Sequence, residues 1–402
     1  MGLVKDYWME AQDRGWTAPE KFVCAECVGE EYLATIVNSN LSADYCSYCN
    51  LHKETLIATE VENIMPYVAG TFFHYFADPS LAGLPRDSGE WVGEELITDT
   101  VDAFLSLGWE CHDELFEDVC SAFMNDAWLP CSDGWWLGVH EHIRRTYAWE
   151  GFVRLTKHKT RYFFLNHRQE DFDSHEDYPP AKILEIICGD ILRFDMLKEL
   201  PPGTDLYRVR TTHGNASFDT FSELGPPPPH LASAGRMNPP AISYGYFAYS
   251  ERTAVLEVCE TPPTELSLGN FKLKTPVMAI DLTCIPNPPS IFDVEKMLDR
   301  DAILFFKSFV NAIATPVAKK GKQVIDYVPS QILSEYFYQI FRIKADQLIG
   351  ALLYPSSLDP GGINIVIFPP RNILDSWETV FELRSVKKII FENWESFKEF
   401  LS

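Results

Sequence analysis

Residues 234–260 read AGRMNPPAISYGYFAYSERTAVLEVCE, and no other stretch says as much about the fold. The order of residue types predicts a Gly-Arg loop, a short aromatic strand, a helix start and a carboxylate one turn into that helix. Arg236, Tyr246 and Glu257 are spaced by ten and then eleven residues. We therefore expect a guanidinium, a phenol and a carboxylate to line one cleft, which suits a ligand with phosphates, an aromatic ring and a ribose.

The composition predicts an ordered protein of two or three domains. The chain has 402 residues, of which 46% are hydrophobic and 13% aromatic, so it can bury large cores. A net charge of −24 makes nucleic acid and anionic membranes unfavourable partners. The longest apolar stretch, residues 302–317, is interrupted by Lys307 and Asn311, so no membrane span is expected.

The N-terminal residues and the cysteine content bear on the location of the protein. Residues 1–6 lack the apolar region of a signal peptide. Ten cysteines in a chain of this length are too few for a disulfide scaffold. We therefore expect a reducing, cytoplasmic compartment.

The hydrophobic periodicity divides the chain into a helical part and a mixed part. Apolar residues recur every three or four positions in four predicted helices: Glu60–Phe76, Glu94–Leu107, Glu114–Asn125 and Trp135–His158. An acidic linker follows at residues 169–180, and Ala181–Leu200 is predicted to be one more helix. The C-terminal half mixes helices at 292–317 and 330–342 with strands at 205–210, 271–282, 348–354, 363–368 and 380–383. The predicted fold class is α+β.

Four cysteines near the N-terminus predict a metal site. Cys24 and Cys27 form one C-x2-C pair, and Cys46 and Cys49 form a second pair 18 residues later. Two such pairs supply four thiolates for tetrahedral zinc with no open position, which is typical of a structural site. The alternative is four ordinary free cysteines.

Residues from about 204 to 385 resemble the RES domain, named for Arg, Glu and Ser. Five blocks occur in the family's order: Leu206–Arg210, Gly235–Pro240, Tyr246 with Thr253–Glu257, Asp326–Gln331, and Tyr354–Ser356 with Gly361–Asn364. The resemblance implies an NAD-degrading toxin with a fold similar to ADP-ribosyltransferases. One departure is visible, because many members have Gly-Gly-Arg-Trp where this chain has Ala-Gly-Arg-Met at residues 234–237.

Four residues are the candidates for catalysis. Cleavage of the nicotinamide–ribose bond builds positive charge on the ribose, and the carboxylate of Glu257 would stabilise that charge. The planar fork of Arg236 would bind the pyrophosphate. Tyr246 would stack on or hydrogen-bond the nicotinamide end. Ser356, which follows a strand and a proline, would supply a small hydroxyl donor.

Three further residues are expected to contact NAD. Arg208 is a second phosphate ligand, and Asn238 and Asn364 are binding residues that can equally shape turns. Each candidate also has a simpler interpretation. A lone Arg236 is commonly a surface ion-pair residue, Tyr246 could be a core residue, Glu257 could lie on a solvated helix face, and Ser356 could belong to a turn.

The helical part resembles the HEPN-type N-terminal domain that is often joined to RES domains. Arg161 and His167 fit the spacing of catalytic HEPN ribonucleases, in which His acts as acid or base and Arg stabilises phosphate. A scaffold, sensor or control module is the preferred interpretation. The predicted domains are therefore a zinc-knuckle segment at 1–55, a HEPN-like helical domain at 56–195 and a RES domain at 196–402.

We expect an NAD-consuming toxin or defence effector that cleaves the nicotinamide–ribose bond by hydrolysis or phosphorolysis. Three alternatives stay open: transfer of ADP-ribose to a protein, a HEPN ribonuclease with a non-catalytic RES domain, and a binding module that senses NAD or ADP-ribose. NAD is the expected substrate and zinc the expected structural metal. An antitoxin or immunity protein and a homo-oligomer are the candidate protein partners.

Overall fold

The computed structural model describes residues 2–81, 83–87, 90–91, 96–131, 140–163, 178–179, 182–212, 218–259, 261–315, 323–343, 347–372 and 376–401. The chain forms two compact units, each built from two stretches of sequence. The first comprises residues 1–143 and 287–302, and the second comprises 144–286 and 303–402. The predicted domain boundaries at 55 and 195, which differ from this division, stay a prediction.

The first unit is mainly helical, with short antiparallel strand pairs between the helices. The described strands pair as β1 with β2, β3 with β6, and β4 with β5. The elements are α1 (Gly2–Arg14), β1 (Phe22–Cys24), α2 (Glu31–Ser39), β2 (Ala58–Glu60), α3 (Met65–Tyr75), β3 (Phe76–Ala77), β4 (Arg86–Asp87), β5 (Glu90–Trp91), α4 (Thr100–Leu107), α5 (Asp113–Ala122), β6 (Leu129–Pro130) and the start of α6 (Glu141–His158).

The helices of this unit lie close to the positions that periodicity predicts. α3, α4 and α5 confirm three predicted helices with narrower bounds, and α6 confirms the described part of the fourth. Asp99 caps α4 by accepting a hydrogen bond from the Asp102 amide, and Gly108 ends the same helix in the left-handed region at φ 70°. Capping residues therefore determine where this helix begins and ends, which the apolar periodicity does not specify.

An aromatic cluster forms the core of the first unit. Phe72 on α3 is fully buried, with ring centroids 4.6 Å from Phe104, 4.6 Å from Phe123 and 4.8 Å from Trp128. Burying a side chain of this size contributes about 1.5–3 kcal/mol. The cluster therefore ties α3, α4 and the segment after α5 together.

A mixed sheet with helices against it forms the second unit. In the described part of this unit, eight strands form one sheet in the order β14-β10-β8-β9-β13-β12-β11-β7. The elements are α7 (Lys182–Arg193), β7 (Leu197–Leu200), β8 (Asp205–Thr212), α8 (Phe221–Leu224), β9 (Gly245–Ala248), α9 (Glu251–Leu256), β10 (Thr264–Leu273), β11 (Val277–Asp281), α10 (Met297–Ala314), α11 (Gln323–Asp326), α12 (Val328–Gln339), β12 (Ala351–Pro355), β13 (Ile363–Ile367), α13 (Trp377–Val380), β14 (Phe381–Phe391) and α14 (Trp394–Leu401).

Both faces of the central strands are buried. On β12, Leu352 belongs to a cluster with the helical residues Phe152 and Phe306, whereas its neighbour Leu353 packs with Phe271 on the other face. Successive side chains of a strand point to opposite faces, which explains this alternation. Only β11 and β12 are parallel among the described strand pairs. The expected α+β class thus takes the form of a helical N-terminal region and a large mixed sheet.

Two element predictions are wrong. The predicted helix at 181–200 ends at Arg193, because Asp195 adopts a left-handed φ of 51° and Leu197–Leu200 pairs with β11 as an edge strand. The predicted strand at 271–282 is two strands, β10 and β11. Pro276, which cannot donate a backbone hydrogen bond, lies between them.

The described helices do not include one that combines the length and the apolar character that crossing a membrane requires.

Candidate functional site

Three adjacent strands near the middle of the sheet position the candidate site. β8 carries Arg208, β9 carries Tyr246 and β13 carries Asn364. Helix α9 follows β9 directly, and the Ser250 hydroxyl caps it by accepting a 3.0 Å hydrogen bond from the Thr253 amide. Glu257 is the C-terminal cap of this short helix. The strand-helix order that residues 234–260 predict is confirmed.

The carboxylate of Glu257 is held by two neutral donors. Its Oε1 atom accepts hydrogen bonds from Ser356 Oγ at 2.7 Å and from Asn364 Nδ2 at 2.6 Å. Both donors are buried, whereas Glu257 itself is exposed. Hydrogen bonds to an ionised acceptor are stronger than those between neutral groups. The carboxylate is therefore fixed in position while it stays open to a ligand.

A tight loop after β12 holds Ser356. The Ser356 hydroxyl accepts from the backbone amides of Leu358 and Asp359, at 3.2 and 3.1 Å. Asp359 in turn accepts a 2.6 Å hydrogen bond from Thr253 on α9. A Cβ atom on Gly362 would lie 2.6 Å from the Thr253 hydroxyl, so only glycine fits there. The loop and the helix that presents Glu257 are thus one connected structure.

The Gly-Arg loop is fixed by Tyr246. The Tyr246 hydroxyl donates to Asn238 Oδ1 at 2.7 Å and accepts from the Met237 amide at 2.9 Å. A Cβ atom on Gly235 would lie 2.4 Å from Asn238 Oδ1 and 2.6 Å from the Tyr246 hydroxyl. Asn238 Nδ2 also donates to the carbonyls of Ser233, Pro239 and Ile242. Asn238 therefore shapes the loop. Because the hydroxyl of Tyr246 is already hydrogen-bonded to the loop, its ring is the part that Tyr246 offers to a ligand.

Helix α12 supplies residues that the sequence analysis did not single out. Gln331 Nε2 donates to the carbonyl of Gly235 at 2.8 Å and to that of Asn238 at 3.0 Å. Ser330 Oγ donates to the carbonyl of Arg236 at 2.5 Å. Both residues lie in the block Asp326–Gln331. The sequence analysis therefore identified this segment but not the role of these two side chains. These side chains therefore hold the backbone of the Gly-Arg loop.

Arg236 lies at the end of helix α10. Its Nη1 atom donates to the carbonyl of Ile313 at 2.5 Å and to that of Thr315 at 2.9 Å. A cation is favourable at a helix C-terminus, where carbonyl groups lack helical partners. One side of the guanidinium is therefore bonded to backbone.

Arg208 has unused hydrogen-bonding capacity. Its Nη1 atom donates to the carbonyl of Tyr246 at 3.2 Å, but its buried Nε atom has no hydrogen-bond partner among the described residues. Burial lowers the pKa of Arg208 to about 9, helped by the nearby Arg210, so the group remains protonated at pH 7. A cation with a buried, unpaired donor is stabilised by an anion.

The candidate residues line two pockets. One, of about 200 Å³, is lined by Glu257, Asn364, Arg208 and Tyr246. The other, of about 310 Å³, shares Arg208 and Tyr246 and adds Arg236. Arg208 and Tyr246 line both pockets, whereas Glu257 lines the first and Arg236 the second, so the expectation of one cleft for all of them stays a prediction. Ser356 lies behind Glu257 and is absent from the described lining of both.

A third, larger pocket adjoins Arg236. It measures about 610 Å³, and Trp149, Phe309 and Tyr327 contribute aromatic rings to its lining. Lys157 also lines it and pairs with Asp326 at 2.9 Å. The pocket therefore combines apolar rings with charged groups beside the Gly-Arg loop.

The four N-terminal cysteines come together in the first unit. Cys24 Sγ lies 3.8 Å from Cys49 Sγ, and Cys27 Sγ lies 3.7 Å from Cys46 Sγ. All four sulfur atoms lie within 4.8 Å of one another. A tetrahedral zinc ion with bonds of about 2.3 Å places its sulfur ligands about 3.8 Å apart. The cysteine cluster is therefore compatible with a zinc knuckle.

The two residues of the ribonuclease motif cannot be compared in space. Arg161 is exposed, and His167 lies outside the described residues. The HEPN ribonuclease alternative therefore stays a prediction.

Two regions of the chain match known protein families. Residues 205–379 match the RES domain, and residues 39–170 match HEPN/RES N-terminal domain 1. A comparison with curated proteins gives no match. The RES match includes all seven candidate residues of the second unit: Arg208, Arg236, Asn238, Tyr246, Glu257, Ser356 and Asn364. Both matches confirm the resemblance that the sequence predicts, with the HEPN/RES N-terminal domain match preceding the RES match along the chain.

Proposed function

We propose that the RES domain consumes NAD by cleaving its nicotinamide–ribose bond, with a fold similar to ADP-ribosyltransferases. The observation that carries this proposal is the carboxylate of Glu257, which Ser356 and Asn364 hold beside the half-buried cation of Arg208. A fixed anion and an unpaired cation in one pocket suit a ligand that develops positive charge and carries phosphates.

The reaction requires little acid–base chemistry. The bond between the ribose anomeric carbon and the nicotinamide nitrogen breaks, and its electron pair neutralises the positive nicotinamide ring. Glu257 stabilises the oxocarbenium-like ribose that remains. Water or phosphate then bonds to the anomeric carbon, and in hydrolysis the proton of water passes to solvent. A single carboxylate is sufficient because the leaving group departs as a neutral base.

Two arginines are proposed to bind the pyrophosphate. Arg208 and Arg236 both line the 310 Å³ pocket, and the free Nε atom of Arg208 can donate to a phosphate oxygen. Arg236 would keep its Nη1 bonds to the end of α10 and present the rest of its fork. The ring of Tyr246 would stack near the nicotinamide, since its hydroxyl is engaged by the Gly-Arg loop.

Transfer of ADP-ribose to a protein is the second candidate. Glu257 is exposed, so a nucleophilic side chain of another protein could approach the same anomeric carbon. The proposal for the binding residues is the same in both cases, and only the acceptor differs.

One experiment separates these reactions. The purified full chain is incubated with NAD, and all products are identified by mass spectrometry. Free ADP-ribose indicates hydrolysis, its 1″-phosphate indicates phosphorolysis, and a mass increase of a protein indicates transfer. Intact NAD after prolonged incubation would contradict the proposal and leave the ribonuclease and the NAD sensor as explanations.

We also propose a toxin role in the cytoplasm, with an antitoxin or immunity protein as partner. Induction in bacteria should arrest growth and lower cellular NAD together, and Glu257→Gln should abolish both effects. Growth arrest at constant NAD, with degraded RNA, would favour the HEPN ribonuclease instead.

For the first unit, we propose that Cys24, Cys27, Cys46 and Cys49 bind one structural zinc ion.

A further inference from the structure

A second cluster of potential metal ligands lies in the first unit. His74 is in the last turn of α3, His140 directly precedes α6, and Asp301 is in the second turn of α10. One ligand atom from each lies within 4.8 Å of the others. The three residues are far apart in sequence and form no motif, so no spacing rule identifies them.

Two residues of the cluster are buried, His74 is half-buried, and the cluster is incompletely hydrogen-bonded. Asp301 is 2% exposed and His140 is 8% exposed. The Nε2 atom of His74 is buried and has no hydrogen-bond partner among the residues that the structure describes. An unpaired buried polar atom costs about 1–3 kcal/mol. A metal ion that accepts the lone pair of Nε2 would remove this cost.

A third histidine orients the carboxylate. His142 Nδ1 lies 2.8 Å from Asp301 Oδ1, and the ring of His142 stacks on that of His140 with centroids 5.9 Å apart. Such an outer hydrogen bond to a ligating carboxylate is typical of metal sites in proteins. His142 therefore fits the role of a supporting residue rather than a ligand.

We propose that His74, His140 and Asp301 bind one divalent transition-metal ion, with zinc preferred, at a site distinct from the four cysteines. Two imidazoles with one carboxylate suit zinc better than magnesium or calcium, which prefer oxygen ligands. Three protein ligands leave one position for water. Because the ligands come from α3, from the residue before α6 and from α10, the ion links three separate parts of the first unit and acts on stability.

The test is a metal count on the tag-free full chain after zinc loading and removal of free metal. The wild type should hold about two zinc ions per chain, one for each four-coordinate site. His74→Gln and the Cys24→Ser/Cys27→Ser variant should each hold about one, because each lacks one site. His230→Gln, which changes an exposed histidine in the second unit, should retain the wild-type content. An unchanged zinc content in His74→Gln would overturn the proposal.

X-ray absorption at the zinc edge tests the same proposal without any variant. The loaded wild type should show nitrogen or oxygen scattering in addition to sulfur. Sulfur scattering alone would overturn the histidine site, whereas nitrogen and oxygen scattering alone would overturn the cysteine site.

Discussion

Ser356 Oγ donates a 2.7 Å hydrogen bond to Glu257 Oε1, although the two residues are 99 positions apart in the sequence. Asn364 Nδ2 reaches the same oxygen at 2.6 Å. The position of the carboxylate therefore depends on strand β13 and the loop after β12 as much as on helix α9. We therefore propose that Ser356 acts by positioning this carboxylate.

Removing the charge of Glu257 should impair the chemistry more than binding. The carbonyl of Gln in Glu257→Gln can still accept both hydrogen bonds, but it cannot stabilise a positive ribose. We expect turnover of NAD to fall by roughly 10²–10³, as for loss of a preorganised electrostatic partner. Steady-state kinetics with product detection measures kcat, and calorimetry with a non-cleavable NAD analogue measures affinity.

A matched control is available on the same helix. Glu251 lies in the first turn of α9, pairs with Lys387 at 3.4 Å and is not among the residues that line the described pockets around Glu257. Glu251→Gln should keep wild-type turnover. Near-normal turnover by Glu257→Gln, with the control also normal, would contradict the proposed mechanism.

The two donors to Glu257 should act together. Ser356→Ala and Asn364→Ala each remove one hydrogen bond to a charged group, worth about 1.5–3 kcal/mol, so each should lower turnover roughly 10- to 100-fold. Once one donor is lost the carboxylate is less restrained, so the double variant should lose less than the product of the two effects. Strictly multiplicative losses would show that the donors act independently. Thermal unfolding of each variant checks that the fold persists.

The phosphate ligands can be ranked by substitution with lysine. Arg208→Lys removes the unpaired Nε donor, and Arg236→Lys removes the fork but keeps the charge. Both should weaken the non-cleavable NAD analogue, Arg208→Lys by roughly 10-fold or more for the loss of one charged hydrogen bond. Arg384→Lys, on the edge strand β14, is the control and should bind normally. Equal affinity for all three variants would place the pyrophosphate elsewhere.

Two glycines should respond to alanine with opposite signs. In Gly235→Ala the new Cβ would lie 2.4 Å from Asn238 Oδ1, so the Tyr246–Asn238 hydrogen bond must break. We expect lower stability and weaker NAD binding. Gly189 lies within α7 with no atom inside 4 Å of a new Cβ. Gly189→Ala should therefore stabilise the protein by about 0.5–1 kcal/mol. Chemical denaturation of both variants measures these changes, and a stable Gly235→Ala variant with wild-type affinity would refute the role of the loop.

Loss of the cysteine site should affect stability and leave the chemistry intact. Cys24→Ser with Cys27→Ser removes two thiolates, so zinc and the folding energy that its binding provides should be lost. We expect lower stability of the first unit, read by hydrogen exchange of residues 10–80, together with NAD cleavage close to wild type. Unaltered stability in a zinc-free sample would refute a structural zinc.

The sequence predicts local structure well where local forces decide it. The strands β8 and β13 and the helices α3 and α5 follow from periodicity, because each buries a regular face. The predicted helix at 181–200 failed after Arg193, because pairing of Leu197–Leu200 with β11 outweighs the local helical pattern.

Contacts between distant residues could not be predicted in the same way. The sequence predicts Glu257 and Ser356 as catalytic residues and Asn364 as a binding residue, but their hydrogen bonds to one another depend on the sheet order that brings α9 beside the end of β12. The same limit applies to His74, His140 and Asp301, which belong to three elements and share no spacing. Residue types show which groups can do chemistry, whereas the long-range strand and helix arrangement determines which of them meet.

The hairpin formed by β12 and β13 gives the length of its connecting loop an unusual importance. Ser356 lies just after one arm and Asn364 lies on the other, where it pairs with Tyr354. Exposed loops generally tolerate inserted residues at little energetic cost. Here one residue added between 357 and 361 would displace Ser356 relative to Asn364 and separate the two donors from their common oxygen. The eight-position interval between Ser356 and Asn364 thus fixes the distance between the two donors. Relatives with the same chemistry should therefore vary the composition of this loop while keeping its length.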